Sequence, residues 1–368
     1  MKIPSAQPYF GDFSEILTDI EKILESKRLI LGPYTERFEE NFKHYIGTEY
    51  AVAVSSCAAA LEICLRFYEV KGKEVIVPAN TFIACANSTV YAGGKVIFSD
   101  VNPEHFCSDF DDIAEKITTK TKAVMLVHLA GLPVPDMDKI IKLCKDKNII
   151  VIEDPSHAHG AVFFGKKVGS LGDAACFSFY PTKLMTTCVG GMITTNDKNL
   201  YEFAKSFRHH GQGASLDDIV RFGNDWLMDE IRAAIGIHQL KQLDSFVNRR
   251  NEIAQKYKSG IDKIKGLRYF RVPLSIRHSY YKFIVSLDKS LNKNKIVENM
   301  KTKGIEVATL YGKPIYLHPA YANIGYRKGL CPKAEEALLH QMVLPMFTEM
   351  RDSEIDTILL NLDEELKK

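Results

Sequence analysis

The sequence predicts an α/β fold with a mostly parallel central sheet and a smaller α+β part at the C-terminal end. Short apolar runs alternate with segments whose apolar residues recur at helical spacing. Apolar strands joined by helices are typical of a parallel sheet that is covered on both faces. After about residue 245 this alternation ends. We therefore expect a large domain at residues 1–244 and a small C-terminal domain at residues 245–368.

The predicted elements follow one another in a regular order. The strands of the large domain are expected at residues 51–54, 74–77, 95–100, 123–128, 149–154, 175–179 and 192–195. A long helical pattern covers residues 229–264, with a candidate break near Leu243. In the C-terminal part the pattern predicts a strand at 280–287, a helix at 294–303 and a helix over the last 15 residues.

Polar or aromatic residues follow several of these strands at the point where each strand ends. Ser56 follows the first strand, Phe82 stands close after the second, and His128 and Asp154 end two others. Ligands of parallel sheets bind beyond the carboxyl ends of the strands. We therefore expect a pocket at this edge of the sheet.

Composition restricts the classes of partner. The 368 residues are 46% hydrophobic and 26% charged, as in an ordinary globular enzyme, and the net charge of +2 gives no reason to expect nucleic acid or an anionic membrane as partner. The N-terminal segment lacks the apolar stretch of a signal peptide, so we expect a cytoplasmic protein. The eight cysteines form no Cys-x-x-Cys pair, which favours reduced thiols over disulfides or a metal site.

The densest group of polar residues and glycines lies between residues 152 and 195. Asp154 ends a strand, His157 follows three residues later, and Lys183 comes five residues after Ser178. Singly, these residues have ordinary interpretations, namely a helix cap, a solvated charge or an inert serine. Together they match one pattern.

This stretch resembles the sugar aminotransferases of the DegT/DnrJ/EryC1/StrS family, which have the aspartate-aminotransferase fold. The resemblance is carried by Glu-Asp at 153–154, His157 with Ala-His-Gly-Ala, Gly-Asp at 172–173, and Phe-Ser-Phe-Tyr-Pro-Thr-Lys at 177–183. It extends over nearly the whole chain, from Gly-Pro at 32–33 to His-Pro-Ala-Tyr at 318–321 and Leu-Pro-Met at 344–346. The resemblance implies an enzyme that uses pyridoxal 5'-phosphate.

The resemblance also implies a role for each candidate residue. Lys183 would hold the cofactor as a Schiff base and then act as general base and acid. Asp154 would keep the ring nitrogen protonated, His157 would face the 3-oxygen of the ring, and Phe82 would stack on the ring face. The groups expected at the phosphate are Ser178, the backbone amides around Ser56, Cys57 and Ala58, and Asp225. Asp225 stands where the family often has Asn directed to the partner subunit's phosphate, although a one-residue shift would place Asn224 there instead.

The implied reaction is a ping-pong transfer. An amino donor, commonly glutamate, would give its nitrogen to the cofactor, and a nucleotide-linked ketosugar would then take it. Substrate contacts are expected from Arg208, Tyr311 and His318, and the active site would be shared in a homodimer. The sequence leaves open the sugar, the nucleotide and the aminated carbon, C3 or C4.

The chain departs from the commonest family form at four positions, and two alternatives within the family stay open. The departures are Ala58 for Thr, Val189 for Glu, Asp225 for Asn and Leu227 for Arg. They motivate one alternative, a catalytically altered cofactor-binding paralogue with a regulatory role. The other is a pyridoxamine-phosphate-dependent sugar 3-dehydratase, although such members have His where this chain has Lys183.

A nicotinamide-dependent oxidoreductase is a third reading, from a different class of enzyme. It would need a Gly-x-Gly-x-x-Gly turn after an early strand. The chain begins such a turn at residues 211–213, but Leu216 stands where the third glycine belongs. We discount this reading.

Overall fold

The computed structural model describes residues 2–215 and 217–367, so Leu216 lies outside the described residues. The strands are β1 (Tyr50–Val54), β2 (Glu74–Pro78), β3 (Lys95–Ser99), β4 (Thr121–Val127), β5 (Ile150–Asp154), β6 (Val162–Phe163), β7 (Lys166–Lys167), β8 (Ala174–Ser178), β9 (Gly191–Thr195), β10 (Leu267–Tyr269), β11 (Ile276–Arg277), β12 (Phe283–Leu287) and β13 (Gln341–Leu344). The α-helices are α1 (Ser14–Ser26), α2 (Pro33–Ile46), α3 (Cys57–Phe67), α4 (Ala84–Tyr91), α5 (Phe110–Lys116), α6 (Met137–Asp146), α7 (Lys198–Phe207), α8 (Glu230–Ile261), α9 (Lys293–Thr302), α10 (Pro319–Ala322), α11 (Pro332–Leu339) and α12 (Asp352–Leu366).

The central sheet has the order β1-β9-β8-β5-β4-β2-β3. The pairs β2/β3, β2/β4, β4/β5 and β5/β8 are parallel, and only β9 runs against its neighbours in this sheet. The prediction of an α/β fold with a mostly parallel sheet is confirmed. Because the other six strands share one direction, their carboxyl ends meet at one edge, which is where the predicted site residues follow them.

Both faces of this sheet are buried, as the apolar strand runs require. On β1, Val52 and Val54 belong to a core cluster with α3 and α7, whereas Ala51 and Ala53 belong to a second cluster with α2 and α8. Alternate residues of a strand point to opposite faces. A strand with helices on both sides is therefore apolar at every position.

The C-terminal part forms a second layer around the antiparallel sheet β10-β12-β13, with α9 and α12 packed together beside it. Its core contains Phe283, Val285, Met342 and Ile358, all buried. The strand predicted at 280–287 and the two predicted helices are present with small shifts of their ends.

Helix α8 differs from the prediction at one point. It runs for 32 residues without interruption, so the expected break near Leu243 is wrong. Leu243 is fully buried and belongs to the core cluster between α8, α2 and the central sheet, so this position is a packed part of the helix. The division at residues 244 and 245, which we retain as a proposal, therefore falls inside one helix.

None of the helices in residues 2–215 and 217–367 combines the length and the apolar content needed to cross a bilayer.

Candidate active site

A cavity of about 560 Å³ opens at the carboxyl edge of the central sheet. This volume lies within the range of about 300–1,000 Å³ that is common for small-molecule sites. One side, here called the sheet wall, consists of Ser56, Cys57, Ala58, Thr81, Phe82, Ala84, Val127, Asp154, Ser156, His157, Ser178, Tyr180, Thr182 and Lys183. The other side, here called the C-terminal wall, consists of Tyr281, Lys282, Ala308, Thr309, Leu310, Tyr311 and Val343.

Asp154 lies on the sheet wall at the last position of β5, and it is only 5% exposed. Its Oδ1 accepts the backbone N–H of Ser156 at 3.0 Å, and its Oδ2 accepts the thiol of Cys85 at 3.0 Å. Burial, followed by the Asp154 carboxylate, raises the pKa of the Cys85 thiol well above its usual value, so this thiol keeps its proton and donates. Two donors fix the carboxylate in place beside the cavity.

The preceding carboxylate, Glu153, points to the opposite face of β5. It accepts backbone N–H groups from Gly169, Leu171 and Gly172, each at 2.7 Å, and it is paired with His128 Nε2 at 3.1 Å. His128 Nδ1 accepts the N–H of Val134, so the proton of this ring lies on Nε2 and is donated to Glu153. His128 therefore orders the core, and it does not line the cavity.

His157 lies between the sheet and the C-terminal wall. Its Nδ1 accepts the N–H of Ala130 at 3.3 Å, and its ring lies 4.4 Å from the ring of Tyr281, centroid to centroid. Burial, and then the cations of Lys183 and Lys282, lower the pKa of His157 well below its usual value. The imidazole is neutral, with its proton on Nε2, and can donate one hydrogen bond to a ligand.

Lys183 lies in the turn after β8, where its backbone N–H donates to the carbonyl of Tyr180 at 2.9 Å. Its Nζ lies 4.9 Å from the ring centroid of Tyr281, whose hydroxyl is 2.9 Å from that of Thr182. Burial raises the pKa of the Tyr281 phenol, but Lys183, Lys282 and the hydrogen bond with Thr182 outweigh burial and lower this pKa. The amine of Lys183 therefore faces an aromatic ring rather than a carboxylate.

The N-terminus of α3 closes one end of the cavity. Ser56 caps this helix by accepting the N–H of Ala59 at 3.2 Å, and the Cys57 thiol is directed inward to Ser156 and the carbonyl of Cys176. This turn packs so closely on β9 that a Cβ at Gly191 would lie 2.6 Å from the nitrogen of Cys57. The N–H groups of Cys57 and Ala58, which precede Ala59, have no partner within the helix, which suits an anion such as a phosphate.

Phe82 and Tyr311 complete the cavity on its two walls. Phe82 is 60% exposed, although large aromatic side chains are usually well buried, so its ring is available for a ligand to stack on. Tyr311 is half-buried, and burial raises the pKa of its phenol well above the usual value. A buried carboxylate, a lysine, a neutral histidine, an open aromatic ring and a helix N-terminus around one cavity fit the ring, the aldehyde and the phosphate of pyridoxal phosphate.

The structure does not bring three of the predicted residues into this cavity. Arg208 is buried, and its guanidinium binds Glu39 of α2 and the carbonyl of Ala53. Because its Nη1 joins α2 to β1, Arg208 does not line this cavity, and a substrate contact from it stays a prediction. Asp225 is exposed and His318 is half-buried, and both lie outside the cavity of their own protomer.

Sequence reasoning missed several residues of the cavity. The thiol donor Cys85 and the pair Tyr281 and Lys282 were not singled out. Cys85 follows Phe82 by three residues, at helical spacing, and this could have indicated it. Tyr281 and Lys282 are about 100 residues from Lys183 along the chain and carry no motif, so only the fold reveals them.

The fold and the cavity define an aminotransferase that depends on pyridoxal phosphate. The model of the DegT/DnrJ/EryC1/StrS aminotransferase family matches residues 12–363. The chain belongs to this family, as the resemblance of its motifs predicts, and it is a pyridoxal-phosphate-dependent sugar aminotransferase.

Relatives and solved structures agree with this assignment. GDP-perosamine synthase of Escherichia coli is 35% identical over 339 residues, which cover 90% of each chain. The UDP-N-acetyl-3-dehydro-α-D-glucosamine 3-aminotransferase of Acidithiobacillus ferrooxidans is 33% identical over 349 residues, 94% of this chain and 92% of the relative. A sugar aminotransferase of Streptococcus pneumoniae in its PLP form superposes with a TM-score of 0.94 at 28% identity, covering 100% of this chain and 99% of that one, and its PMP form also superposes at 0.94.

Proposed function

We propose that this enzyme takes the amino group of glutamate and delivers it to the keto carbon of a nucleotide-linked deoxyketosugar. The observation that carries the proposal is the placement of Lys183 and Asp154 in one cavity, next to the N-terminus of α3 and the open ring of Phe82. The names of the two relatives, a GDP-perosamine synthase and a UDP-sugar 3-aminotransferase, support a nucleotide-linked sugar as the acceptor.

The residues divide the work of holding the cofactor. Lys183 would bind its aldehyde covalently and, when released, carry the proton between the carbon and nitrogen atoms of the substrate. Asp154 would keep the ring nitrogen protonated, and the donors Cys85 and Ser156 would hold this carboxylate in position. When bound, pyridoxal phosphate supplies an electron sink for the carbanion that forms during transfer.

The remaining groups would orient the two ends of the cofactor. His157, neutral and protonated on Nε2, would donate to the 3-oxygen of the ring. Ser178, with the N–H groups at Cys57 and Ala58, would bind the phosphate at the N-terminus of α3. Tyr311 would contact a substrate from the C-terminal wall.

We propose that the working form is a homodimer in which Asp225 and His318 approach the partner's cofactor. Both residues lie outside the cavity of their own protomer, and Asp225 is exposed. Nearby, Ile219, Val220 and Phe222 are 56%, 52% and 98% exposed, and a group of exposed apolar side chains is typical of an interaction surface. Asp225→Ala should lower cofactor retention, whereas Asp217→Ala in the same loop, also exposed, serves as the control. Equal cofactor content in both variants would count against this placement.

The reaction is tested in two stages. Purified enzyme loaded with pyridoxal phosphate and mixed with glutamate should shift its absorbance from the aldehyde form of the cofactor to the amine form. The amine form should then aminate one member of a set of nucleotide-linked 3-keto and 4-keto sugars, detected by mass spectrometry. An enzyme whose spectrum stays unchanged with every amino donor would contradict the proposal and favour a silent cofactor-binding paralogue.

A further inference from the structure

A second lysine, Lys282, lines the cavity from the C-terminal wall. Its Nζ lies 5.1 Å from the ring centroid of Tyr281, the same ring that Lys183 approaches to 4.9 Å. Among residues 2–215 and 217–367, no carboxylate forms an ion pair with Lys282. The side-chain nitrogens of two lysines therefore lie near one aromatic ring beside the cavity, and neither has an acidic partner in the described chain.

Burial makes this arrangement costly for Lys282. Its surroundings lower the pKa of the ammonium, chiefly by burial, and Tyr281 offsets this only in part, while Arg250 and Lys183 lower the pKa further. Lys282 is half-buried, and a partly desolvated charge without a partner becomes more favourable when an opposite charge joins it. An anionic group that enters the cavity with a ligand would pair with the Lys282 ammonium and offset the free energy lost by its desolvation.

The position of Lys282 indicates which anion this is. Its backbone N–H donates to the carbonyl of Ala130 at 3.1 Å, and the N–H of Ala130 donates to His157. Ala130 thus links Lys282 of the C-terminal wall to His157 of the sheet wall. In the proposed function the cofactor phosphate binds at the N-terminus of α3 and His157 donates to the ring 3-oxygen, so Lys282 is left for an anion of the substrate.

An amino-acid donor carries such an anion next to the atom that reacts. Its α-carboxylate is one bond from the carbon that gives up nitrogen, and that nitrogen must reach the position of the Lys183 amine. We propose that Lys282 binds the α-carboxylate of the amino-acid donor and thereby determines its orientation. This proposal rests on the proposed function, since it needs an amino acid as the first substrate.

The test compares Lys282→Met with Lys282→Arg and with Lys265→Met, which makes the same change at an exposed lysine. Each variant, loaded with pyridoxal phosphate, is titrated with glutamate and, separately, with glutamine, and conversion of the cofactor is followed by absorbance. Loss of one charged contact should raise the concentration of donor for half-maximal rate about 10- to 100-fold in Lys282→Met. Because glutamine lacks only the side-chain carboxylate of glutamate, the loss should be equal for both donors. Lys282→Arg should restore most of the response to low donor concentrations, and Lys265→Met should behave as wild type.

Two further measurements separate this role from others. The amount of cofactor that borohydride fixes to each variant should equal that of wild type, because Lys282 binds the donor and not the cofactor. The second half-reaction, from the amine form to a ketosugar, should keep its rate in Lys282→Met.

Four results would overturn the proposal. They are a loss confined to glutamate, which would move the contact to the side-chain carboxylate; a loss confined to the ketosugar half-reaction; a loss of bound cofactor; and an unchanged response to both donors. Failure of the wild-type enzyme to respond to any donor would instead refute the proposed function, and the Lys282 proposal with it.

Discussion

The two walls of the cavity are built in different ways. The sheet wall comes from the ends of parallel strands, and its polar residues follow those strands at short distances in the sequence. The C-terminal wall comes from residues 281–282, 308–311 and 343, which are brought together by a separate antiparallel sheet. The sheet wall offers the groups that a cofactor needs, and the C-terminal wall offers groups that can select substrates. The proposed roles therefore place cofactor chemistry and substrate choice on different parts of the chain.

The most severe test of this comparison is Lys183→Ala on the sheet wall. We expect the rate of amino transfer to fall about 1000-fold or more, because acid–base catalysis alone contributes about 10²–10⁴-fold and the covalent tether is lost as well. Borohydride should no longer fix the cofactor to the chain. Lys265→Ala, at an exposed site, is the control. Near-normal turnover in Lys183→Ala would refute the role of the sheet wall.

A second test uses the two neighbouring carboxylates of β5. Asp154→Asn should slow transfer about 100- to 1000-fold, as expected when a preorganised electrostatic contact is removed, with little effect on stability. Glu153→Gln should instead lower stability and leave the rate of transfer little changed. In the core, Glu153 accepts hydrogen bonds from three backbone N–H groups and from His128. We expect its free energy of unfolding to fall by about 1–3 kcal/mol, with activity per folded molecule preserved. Thermal denaturation and single-turnover rates distinguish the two, and equal behaviour would contradict the assignment.

A third test concerns stability against pH beneath the sheet wall. Burial, and then Lys183, lowers the pKa of His159 from 6.5 to about 3. As the pH falls, His159 is therefore protonated in the unfolded chain at a higher pH than in the folded protein. The stability that this difference provides above pH 6.5 is lost as the pH falls toward 3. The slope is about 1.4 kcal/mol per pH unit for one such group.

His159→Phe should remove this contribution and flatten the loss of stability between pH 6.5 and 5. The control is His44→Phe, at an exposed position. Denaturant unfolding at several pH values measures the slope, and an unchanged slope in His159→Phe would show that His159 is not the group responsible.

The smallest effect is expected from Phe82→Ala. Stacking of aromatic rings contributes about 0.5–1.5 kcal/mol, so the affinity for pyridoxal phosphate should fall about 2- to 10-fold. The melting temperature of the cofactor-free protein should stay unchanged, because this side chain is 60% exposed. Tyr91→Ala, at an exposed aromatic residue outside the main cavity, is the control. A drop in stability without a drop in affinity would assign Phe82 to packing.

The same contrast explains what the sequence could predict. Strand ends such as Asp154 and Ser178 were predictable because periodicity locates a strand, and parallel strands deliver their ends to one edge. The role proposed for Lys282 was not predictable, because it rests on the lack of an acidic partner in the folded protein and not on a sequence motif. The environment of Arg208 was also hidden, because Glu39, its partner, lies 169 residues away along the chain. Long-range pairing of this kind depends on the assembled fold.

The uninterrupted course of α8 limits how the two walls can move. Near its start Gln239 accepts the N–H of Thr186, and farther along Arg250 donates to the carbonyls of Tyr280 and Met346. A helix of this kind, with 32 residues, is about 48 Å long, and bending it in the middle would break backbone hydrogen bonds. The same helix therefore carries hydrogen bonds to segments that lead into both walls. In the proposed function, an amino acid and a much larger sugar nucleotide would bind in turn between walls that are tied to one helix.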